Sequence, residues 1–236
     1  MRFQDASPDA RAVVYAGIQA EPLVARAAAL LADATPAQRV LARAVMNGMS
    51  VGPAVWQAMF PTLFGPDAAA DGAERERSEA ILAASVEVAE RGEQVRSQVR
   101  GAIVESVTEL LVRRRTGAAA GATPQGPGAP SAVRRERRIL FDGVRAEIHP
   151  YDVTVETPGA AEAIDCKWGA RGINADVLHQ LDDARTHAAD EDEVLTATIV
   201  VFDAERSCQV RLERQTAPHE ATRLIALETL DRLAAR

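Results

Sequence analysis

Residues 116–132, with the sequence TGAAAGATPQGPGAPSA, constrain the fold of this chain most, because they have neither helical nor strand periodicity. Their glycine, alanine and proline content is typical of a flexible loop or linker. The sequence before this segment follows a helical pattern, whereas the sequence after it contains apolar runs of strand length. The order of these patterns predicts an all-helical N-terminal region followed by a mixed α/β fold.

The N-terminal region contains four segments with helical periodicity, over residues 8–31, 36–47, 53–60 and 72–115. Ser7 and Thr35 each precede a proline, which is the pattern of an N-cap followed by the first helical residue. Gly92 or Gly101 is the expected break within the last segment. These segments would supply the helices of the N-terminal region.

The C-terminal region contains apolar runs of strand length. Five segments are predicted to form strands: residues 137–149, 151–157, 161–168, 194–203 and 207–214. The run from Val194 is largely apolar, which favours burial on both faces. Asn174 can cap a helix that continues to about residue 189, and Thr216 with Pro218 is predicted to open a final helix. A helix between strands predicts a crossover in a mixed sheet.

Lys167 is the only lysine among 27 lysine and arginine residues. In the strand over 161–168, Asp165 and Lys167 are two residues apart and therefore point to the same face. Asp152 opens the preceding strand, and the sequence TPG between the strands permits a hairpin that brings Asp152 close to Asp165. This arrangement suits Mg²⁺, which binds a few carboxylates while it keeps waters for a substrate phosphate.

The sequences PYD at 150–152 and IDCK at 164–167 resemble the PD-(D/E)xK nuclease superfamily. The segment RGAIVESVTELLVRRR is similar to the first core helix of that family, which carries a glutamate at the position that Glu105 matches. Glu109 is the alternative, because both side chains lie off the apolar stripe of this helix. The segment NADVLHQLDDARTHA resembles the helix that follows the lysine strand in several branches, where a glutamine is often found and Gln180 matches it.

The resemblance implies a restriction-endonuclease-like mixed sheet flanked by helices. It places a helical N-terminal region at 1–92 and a nuclease-like domain at 93–236, in which residues 116–132 form a flexible insertion. It also implies metal-dependent hydrolysis of phosphodiester bonds in DNA, in a setting of restriction, defence or repair.

The resemblance gives each matching residue a role. Asp152, Asp165 and Glu105 would bind Mg²⁺ or Mn²⁺, which activates a water molecule and acts as a Lewis acid. Lys167 would orient the water and stabilise negative charge on the phosphoryl oxygens, while Gln180 would orient groups nearby. A chain that otherwise uses arginine keeps a lysine here, which fits a need for a compact point charge.

Basic residues are concentrated in the middle of an acidic chain. The net charge is -7, yet residues 91–145 carry 11 basic and 5 acidic side chains. Such a zone attracts phosphate, and a solvated helix end is the alternative interpretation. We predict nucleic-acid contacts from five arginines: Arg113, Arg114, Arg115, Arg171 and Arg185.

Two other classes of function remain open. One is a catalytically inactive nuclease-fold module that binds nucleic acid or a partner protein. The other is a helical interaction protein that uses its N-terminal helices to form a homodimer or to bind a partner. Cys166 and Cys208 are isolated, which is typical of a reducing cytosol. No apolar run approaches the roughly 20 residues of a membrane span, and no export signal is evident, so we expect a cytoplasmic protein without membrane contact.

Overall fold

The computed structural model of the chain describes residues 1–6, 10–48, 51–66, 72–118, 131–142, 144–145, 149–157 and 159–235. Two compact units are formed, one by residues 10–107 and the other by residues 1–9 together with 108–236. We refer to them as the helical unit and the sheet unit. The predicted N-cap at Ser7 and most of the predicted insertion, residues 119–130, lie outside the described residues.

Proline residues begin most helices of the helical unit. Its helices are α1 (Ala10–Gln19), α2 (Pro22–Ala32), α3 (Pro36–Asn47), α4 (Pro53–Met59), α5 (Pro61–Phe64), α6 (Gly72–Ala89) and the first part of α7 (Glu93–Thr116). Proline suits the first helical position, where its missing N–H would have no intrahelical partner. The prediction of a single helix over residues 8–31 is wrong. Pro22 has no N–H to donate to α1, so α1 ends before it and Pro22 begins α2.

Thr35 caps α3 as predicted. Its hydroxyl accepts a hydrogen bond from the Gln38 N–H at 3.3 Å, and Gln38 Oε1 accepts one from the Thr35 N–H at 2.9 Å. Gln38 is fully buried and also donates from Nε2 to Ser78 Oγ at 2.9 Å, which ties α3 to α6. The predicted break at Gly92 is confirmed, whereas Gly101 lies inside α7.

The sheet unit contains a mixed sheet with the strand order β1-β2-β4-β5-β6-β7, and a two-residue strand, β3, pairs with β2. The strands are β1 (Arg2–Asp5), β2 (Ala132–Phe141), β3 (Val144–Arg145), β4 (Tyr151–Thr157), β5 (Ala160–Lys167), β6 (Val194–Val201) and β7 (Arg223–Ala226). The pairs from β1 to β5 are antiparallel, whereas β5, β6 and β7 run parallel. The predicted mixed sheet flanked by helices is therefore confirmed.

Helix α8 (Ala175–Asp190) is the predicted crossover between β5 and β6. Asn174 caps it, with Oδ1 accepting a hydrogen bond from the Val177 N–H at 3.0 Å. Apolar residues of α8 such as Leu178 share a buried cluster with Ile199 and other residues of β6. Six of the eight residues of β6 are buried, as its largely apolar sequence predicts, whereas Val194 and Thr196 at its start are exposed.

Two C-terminal elements differ from the prediction. The segment predicted as a strand over residues 207–214 belongs to α9 (Glu205–Glu213), in which Cys208 and Leu212 lie four residues apart and pack toward the core. The predicted C-terminal helix is replaced by β7 and a 3₁₀ helix at Leu227–Leu233. Strand pairing explains this second difference, because β7 extends the sheet beside β6 and buries its apolar residues there.

The prediction that the N-terminal region is all-helical is also wrong. Residues Arg2–Asp5 form β1 and pair antiparallel with β2, with Phe3 opposite Ile139. A strand of four residues has little sequence signal of its own. Its conformation depends on the free edge that β2 offers, which is a tertiary property.

Candidate functional site

The candidate site lies where β4 and β5 separate. The last paired residues of the two strands on this side are Val153 and Ile164. Beyond them, the Asp152 carboxylate takes the place of a backbone acceptor, and its Oδ2 accepts a hydrogen bond from the Cys166 N–H at 2.6 Å. The hairpin therefore brings Asp152 to the strand that carries Asp165, as the spacing predicts.

Lys167 and Asp165 form an ion pair on β5, with 2.5 Å between Lys167 Nζ and Asp165 Oδ1. Their side chains are 26% and 11% exposed, so the pair is largely withdrawn from solvent. The predicted placement of both side chains on one face is confirmed. Cys166 points the other way, where its Sγ lies 3.5 Å from Thr108 Oγ1 of α7.

Burial sets the electrostatics of this pair. Loss of solvent raises the pKa of the Asp165 carboxyl above its usual range, against the lowering effect of Lys167 and of His149. Burial also disfavours the charged form of Lys167, but the Asp165 and Asp152 carboxylates outweigh it and raise the pKa of the amine. Lys167 is therefore an ammonium group at neutral pH.

The turn after β5 holds the lysine side chain in place. A 3₁₀ helix at Ala170–Gly172 follows the strand. A methyl group added to Gly172 would lie 2.8 Å from Cδ and Cγ of Lys167 and 2.9 Å from its Cβ. The aliphatic part of Lys167 thus packs directly against the glycine backbone, which directs its ammonium group. The sequence analysis did not find this role, since a single glycine in a turn carries no distinctive signal.

Gln180 contacts the site through the backbone of His149. Its Nε2 donates to the His149 carbonyl at 3.0 Å, and its Oε1 accepts from the His149 N–H at 3.4 Å. The Tyr151 hydroxyl donates in turn to the Gln180 carbonyl at 3.1 Å. Gln180 therefore fixes the backbone of the chain that leads into β4.

The two candidate glutamates of α7 have structural partners. Glu105 is buried in the helical unit, where it accepts hydrogen bonds from the Tyr15 hydroxyl at 2.5 Å and from Gln19 Nε2 at 2.7 Å. Glu109 accepts from Arg135 Nε at 2.6 Å and lies 2.7 Å from Arg113 Nη2. Neither set of partners could be predicted from the periodicity of α7 alone.

The sheet unit brings two candidate metal-binding carboxylates, Asp152 and Asp165, to neighbouring positions on β4 and β5. No group of three or more His, Cys, Asp or Glu side chains is arranged to hold a metal ion among the described residues. The predicted role of Glu105 as a ligand beside Asp152 and Asp165 stays a prediction. Asp152 and Asp165 alone still fit Mg²⁺, because this ion commonly uses one or two carboxylates and completes its shell with waters and substrate phosphate.

Carboxylates neutralise part of the predicted basic zone. Arg113 pairs with Glu109, and Arg115 pairs with Glu162 across to β5. The side chains of both arginines are mostly buried, whereas that of Arg114 is exposed. The run at the end of α7 therefore serves in part to bind the acidic residues of the sheet unit.

Two predicted phosphate contacts lie beyond β5. Arg185 pairs with Asp182 one turn earlier on α8, with 2.7 Å between Nη2 and Oδ1. Arg171 is exposed in the 3₁₀ turn beside Gly172 and lines an open pocket. Arg171 thus faces a cavity that could take a ligand, whereas Arg185 is engaged by an acidic neighbour.

Together these observations define an α/β protein whose mixed sheet carries an acid–lysine pair and a second carboxylate at the point where two strands separate. No family model, curated protein or solved structure matches the chain. In the described part of the chain, no helix is both long and apolar enough to cross a membrane.

Proposed function

We propose that this chain is a metal-dependent nuclease that hydrolyses phosphodiester bonds in DNA. The observation that carries the proposal is the convergence of Asp152, Asp165 and Lys167 where β4 and β5 separate. Restriction, defence and repair are the settings in which such an enzyme would act. Its two free cysteines, Cys166 and Cys208, are both buried, which favours the reducing cytoplasm as its location.

Asp152 and Asp165 would hold Mg²⁺ or Mn²⁺. The metal supplies a Lewis acid and lowers the pKa of a bound water molecule. The Cys166 N–H fixes the orientation of the Asp152 carboxylate, and the Lys167 ammonium limits rotation of Asp165. Both carboxylates are thus oriented before a ligand arrives, which reduces the reorganisation that binding requires.

Lys167 would stabilise the negative charge that develops on the phosphoryl oxygens. Its raised pKa keeps it protonated, so it donates hydrogen bonds and does not remove a proton from water. Gly172 and the ion pair with Asp165 restrict the positions that its Nζ can reach. A charge held in this way is effective in catalysis because it needs little rearrangement during the reaction.

A binding module of the same fold that does not cleave is the second candidate. Two observations favour it: Asp165 is already neutralised by Lys167, and Glu105 is engaged by Tyr15 and Gln19. A site of this kind would bind a backbone phosphate through Lys167 without hydrolysing it.

Cleavage of DNA with and without a divalent metal separates the two candidates. Full-length protein is incubated with supercoiled plasmid and linear DNA in Mg²⁺, in Mn²⁺ or in EDTA, and RNA of the same sequence is tested in parallel. We expect metal-dependent cleavage of DNA that Asp165→Asn lowers by about 100-fold or more. Asp183→Asn is the matched control, since Asp183 is exposed on α8, and it should retain wild-type activity.

Lys167→Arg tests the role of the ammonium group. The guanidinium keeps the positive charge but is wider and planar, so we expect a loss of about 100-fold in cleavage rate. Binding of DNA in Ca²⁺ should change little. Protein that binds DNA but cleaves in neither metal would support the binding module, and full activity of Asp165→Asn would refute the assignment of the site.

A further inference from the structure

An open pocket of about 640 Å³ lies beside the 3₁₀ turn that follows β5. Its lining is dominated by arginine: Arg171 from the turn, and Arg206, Arg211 and Arg214 from α9 and its C-cap, together with Ser207. No acidic residue contributes to the lining among the described residues. Four positive charges thus meet in one cavity of a protein whose net charge is -7.

The arrangement follows from the helical period of α9. Residues 206, 207, 210, 211 and 214 recur at helical spacing and form one face. Cys208 and Leu212 lie on the other side and pack toward the core. Arg211 also donates from Nε to the Ile173 carbonyl at 2.9 Å, which joins α9 to the end of the turn and fixes one guanidinium in the wall of the pocket.

Three of these arginines lack the carboxylate partners that other arginines of the sheet unit have. Arg113, Arg115 and Arg185 are each paired with an acid. In contrast, Arg171, Arg206 and Arg214 form no ion pair with any described residue. Guanidinium groups this close repel one another, and a bound anion would relieve that repulsion.

The Asp203 carboxylate binds backbone N–H groups at the edge of the pocket. Asp203 accepts hydrogen bonds from the Ala170 N–H at 2.9 Å and from the Ala204 N–H at 2.8 Å. It therefore joins the turn to the start of α9, and both of those alanines line the pocket. The carboxylate supports the shape of the cavity through these bonds.

We propose that this pocket binds the backbone phosphates of a nucleic-acid strand and guides that strand to Lys167. The inference rests on the proposed nuclease function. The pocket and the lysine share one turn, since Ala170 lines the cavity and Gly172 packs on the Lys167 side chain. Guanidinium groups and a serine hydroxyl are suitable donors for phosphate oxygens.

The dimensions of α9 favour a nucleic-acid strand over a single small anion. From Arg206 to Arg214 the helix rises by about 12 Å, at about 1.5 Å per residue. Phosphates of one strand of duplex DNA follow one another at about 3.4 Å along the helix axis. The arginine face is therefore long enough to contact more than one phosphate of a strand.

Binding of fluorescein-labelled DNA by the full-length protein tests this proposal. Anisotropy is measured in Ca²⁺ at several salt concentrations, with a duplex and a single strand of about 20 nucleotides. Arg206→Gln/Arg214→Gln is compared with Arg75→Gln/Arg232→Gln, which removes two exposed arginines outside the pocket and the same amount of charge. We expect the pocket variant to bind about 10-fold more weakly, and its salt slope to fall by about one for each phosphate that the variant no longer neutralises. The control should change by less than about twofold.

The outcomes separate the pocket from the nuclease site. Wild-type protein that binds DNA through the pocket but does not cleave it would refute the nuclease function and retain the pocket. Cleaving protein whose pocket variant binds as tightly as the control would refute the pocket alone. Absence of nucleic-acid binding by the wild type would overturn the pocket proposal. It would also be overturned if an oligo-aspartate peptide displaced the labelled DNA as well as unlabelled DNA of the same charge does, because that result would indicate an acidic protein partner.

Discussion

Lys167→Met should destabilise the sheet unit, because it leaves the Asp165 carboxylate buried without its counterion. The Asp165 side chain is 11% exposed, and Lys167 Nζ lies 2.5 Å from its Oδ1. Removing one member of a buried pair typically costs about 3–5 kcal/mol in free energy of unfolding. Lys167 keeps 26% of its side chain exposed, so we expect a value near the lower end, about 3 kcal/mol at neutral pH.

The destabilisation should depend on pH in a defined direction. Burial raises the pKa of Asp165 above 3.8, its ordinary value, and removal of the ammonium group should raise it further. A raised pKa means that the folded state holds the proton more tightly than the unfolded state does. The stability gained from this proton is complete below pH 3.8 and disappears as the pH rises through the folded-state pKa. The deficit of Lys167→Met should therefore be small near the ordinary pKa and largest at neutral pH.

The test is completed by urea denaturation of four proteins: the wild type, Asp165→Asn, Lys167→Met and the double variant Asp165→Asn/Lys167→Met. In the Asp165→Asn background no charge is left unpaired at this position, so Lys167→Met should cost less than about 1 kcal/mol. Equal destabilisation in the two backgrounds, or a destabilisation that does not vary with pH, would refute the argument that burial of the unpaired carboxylate is the cause.

Two further predictions concern residues that support the site and the helical unit. Gly172→Ala should lower kcat of the proposed cleavage by about 10-fold with little change in KM, because the new methyl group meets the Lys167 side chain at 2.8 Å and redirects its ammonium group. The same shift weakens the ion pair with Asp165, so the melting temperature should also fall, though by less than in Lys167→Met. Gly52→Ala, where no atom lies within 4 Å of the added carbon, is the control, and an unchanged kcat in Gly172→Ala would contradict the positioning role. Tyr15→Phe should lower the free energy of unfolding by about 2 kcal/mol, because it removes a hydrogen bond to the Glu105 carboxylate. The control Tyr151→Phe removes a hydrogen bond to the neutral Gln180 carbonyl and should cost about 1 kcal/mol. Equal losses in chemical denaturation would mean that the charge of Glu105 does not contribute.

Local pattern was sufficient to predict the centre of the sheet and the residues that meet there. The sequence segments that contain Asp152 and Asp165 have the length and composition typical of strands, and the TPG sequence between them indicates a turn. The spacing of Asp165 and Lys167 determines that both point to one face. These features depend on the nearest neighbours along the chain, and for that reason sequence alone reveals them.

Features that depend on distant partners were missed. The role of Glu105 is set by Tyr15 and Gln19, which are 90 and 86 residues away. The strand β1 forms only because β2 has an edge to pair with. The arginine pocket was hidden by the incorrect assignment of residues 207–214, since strand periodicity would place Arg211 and Arg214 on opposite faces, whereas helical periodicity places them together.

The connections that follow the parallel strands can vary in sequence and length while the sheet stays the same. Strands β5, β6 and β7 end at one edge, so the chain leaves them for the turn at Ala170–Gly172, for α9 and for the C-terminal 3₁₀ helix from neighbouring positions. Connections at such an edge can be exchanged or lengthened without breaking the backbone hydrogen bonds that hold the strands together. Grafting different loops after Lys167 or Val201 would therefore be a practical way to alter which ligands the protein selects while its framework persists.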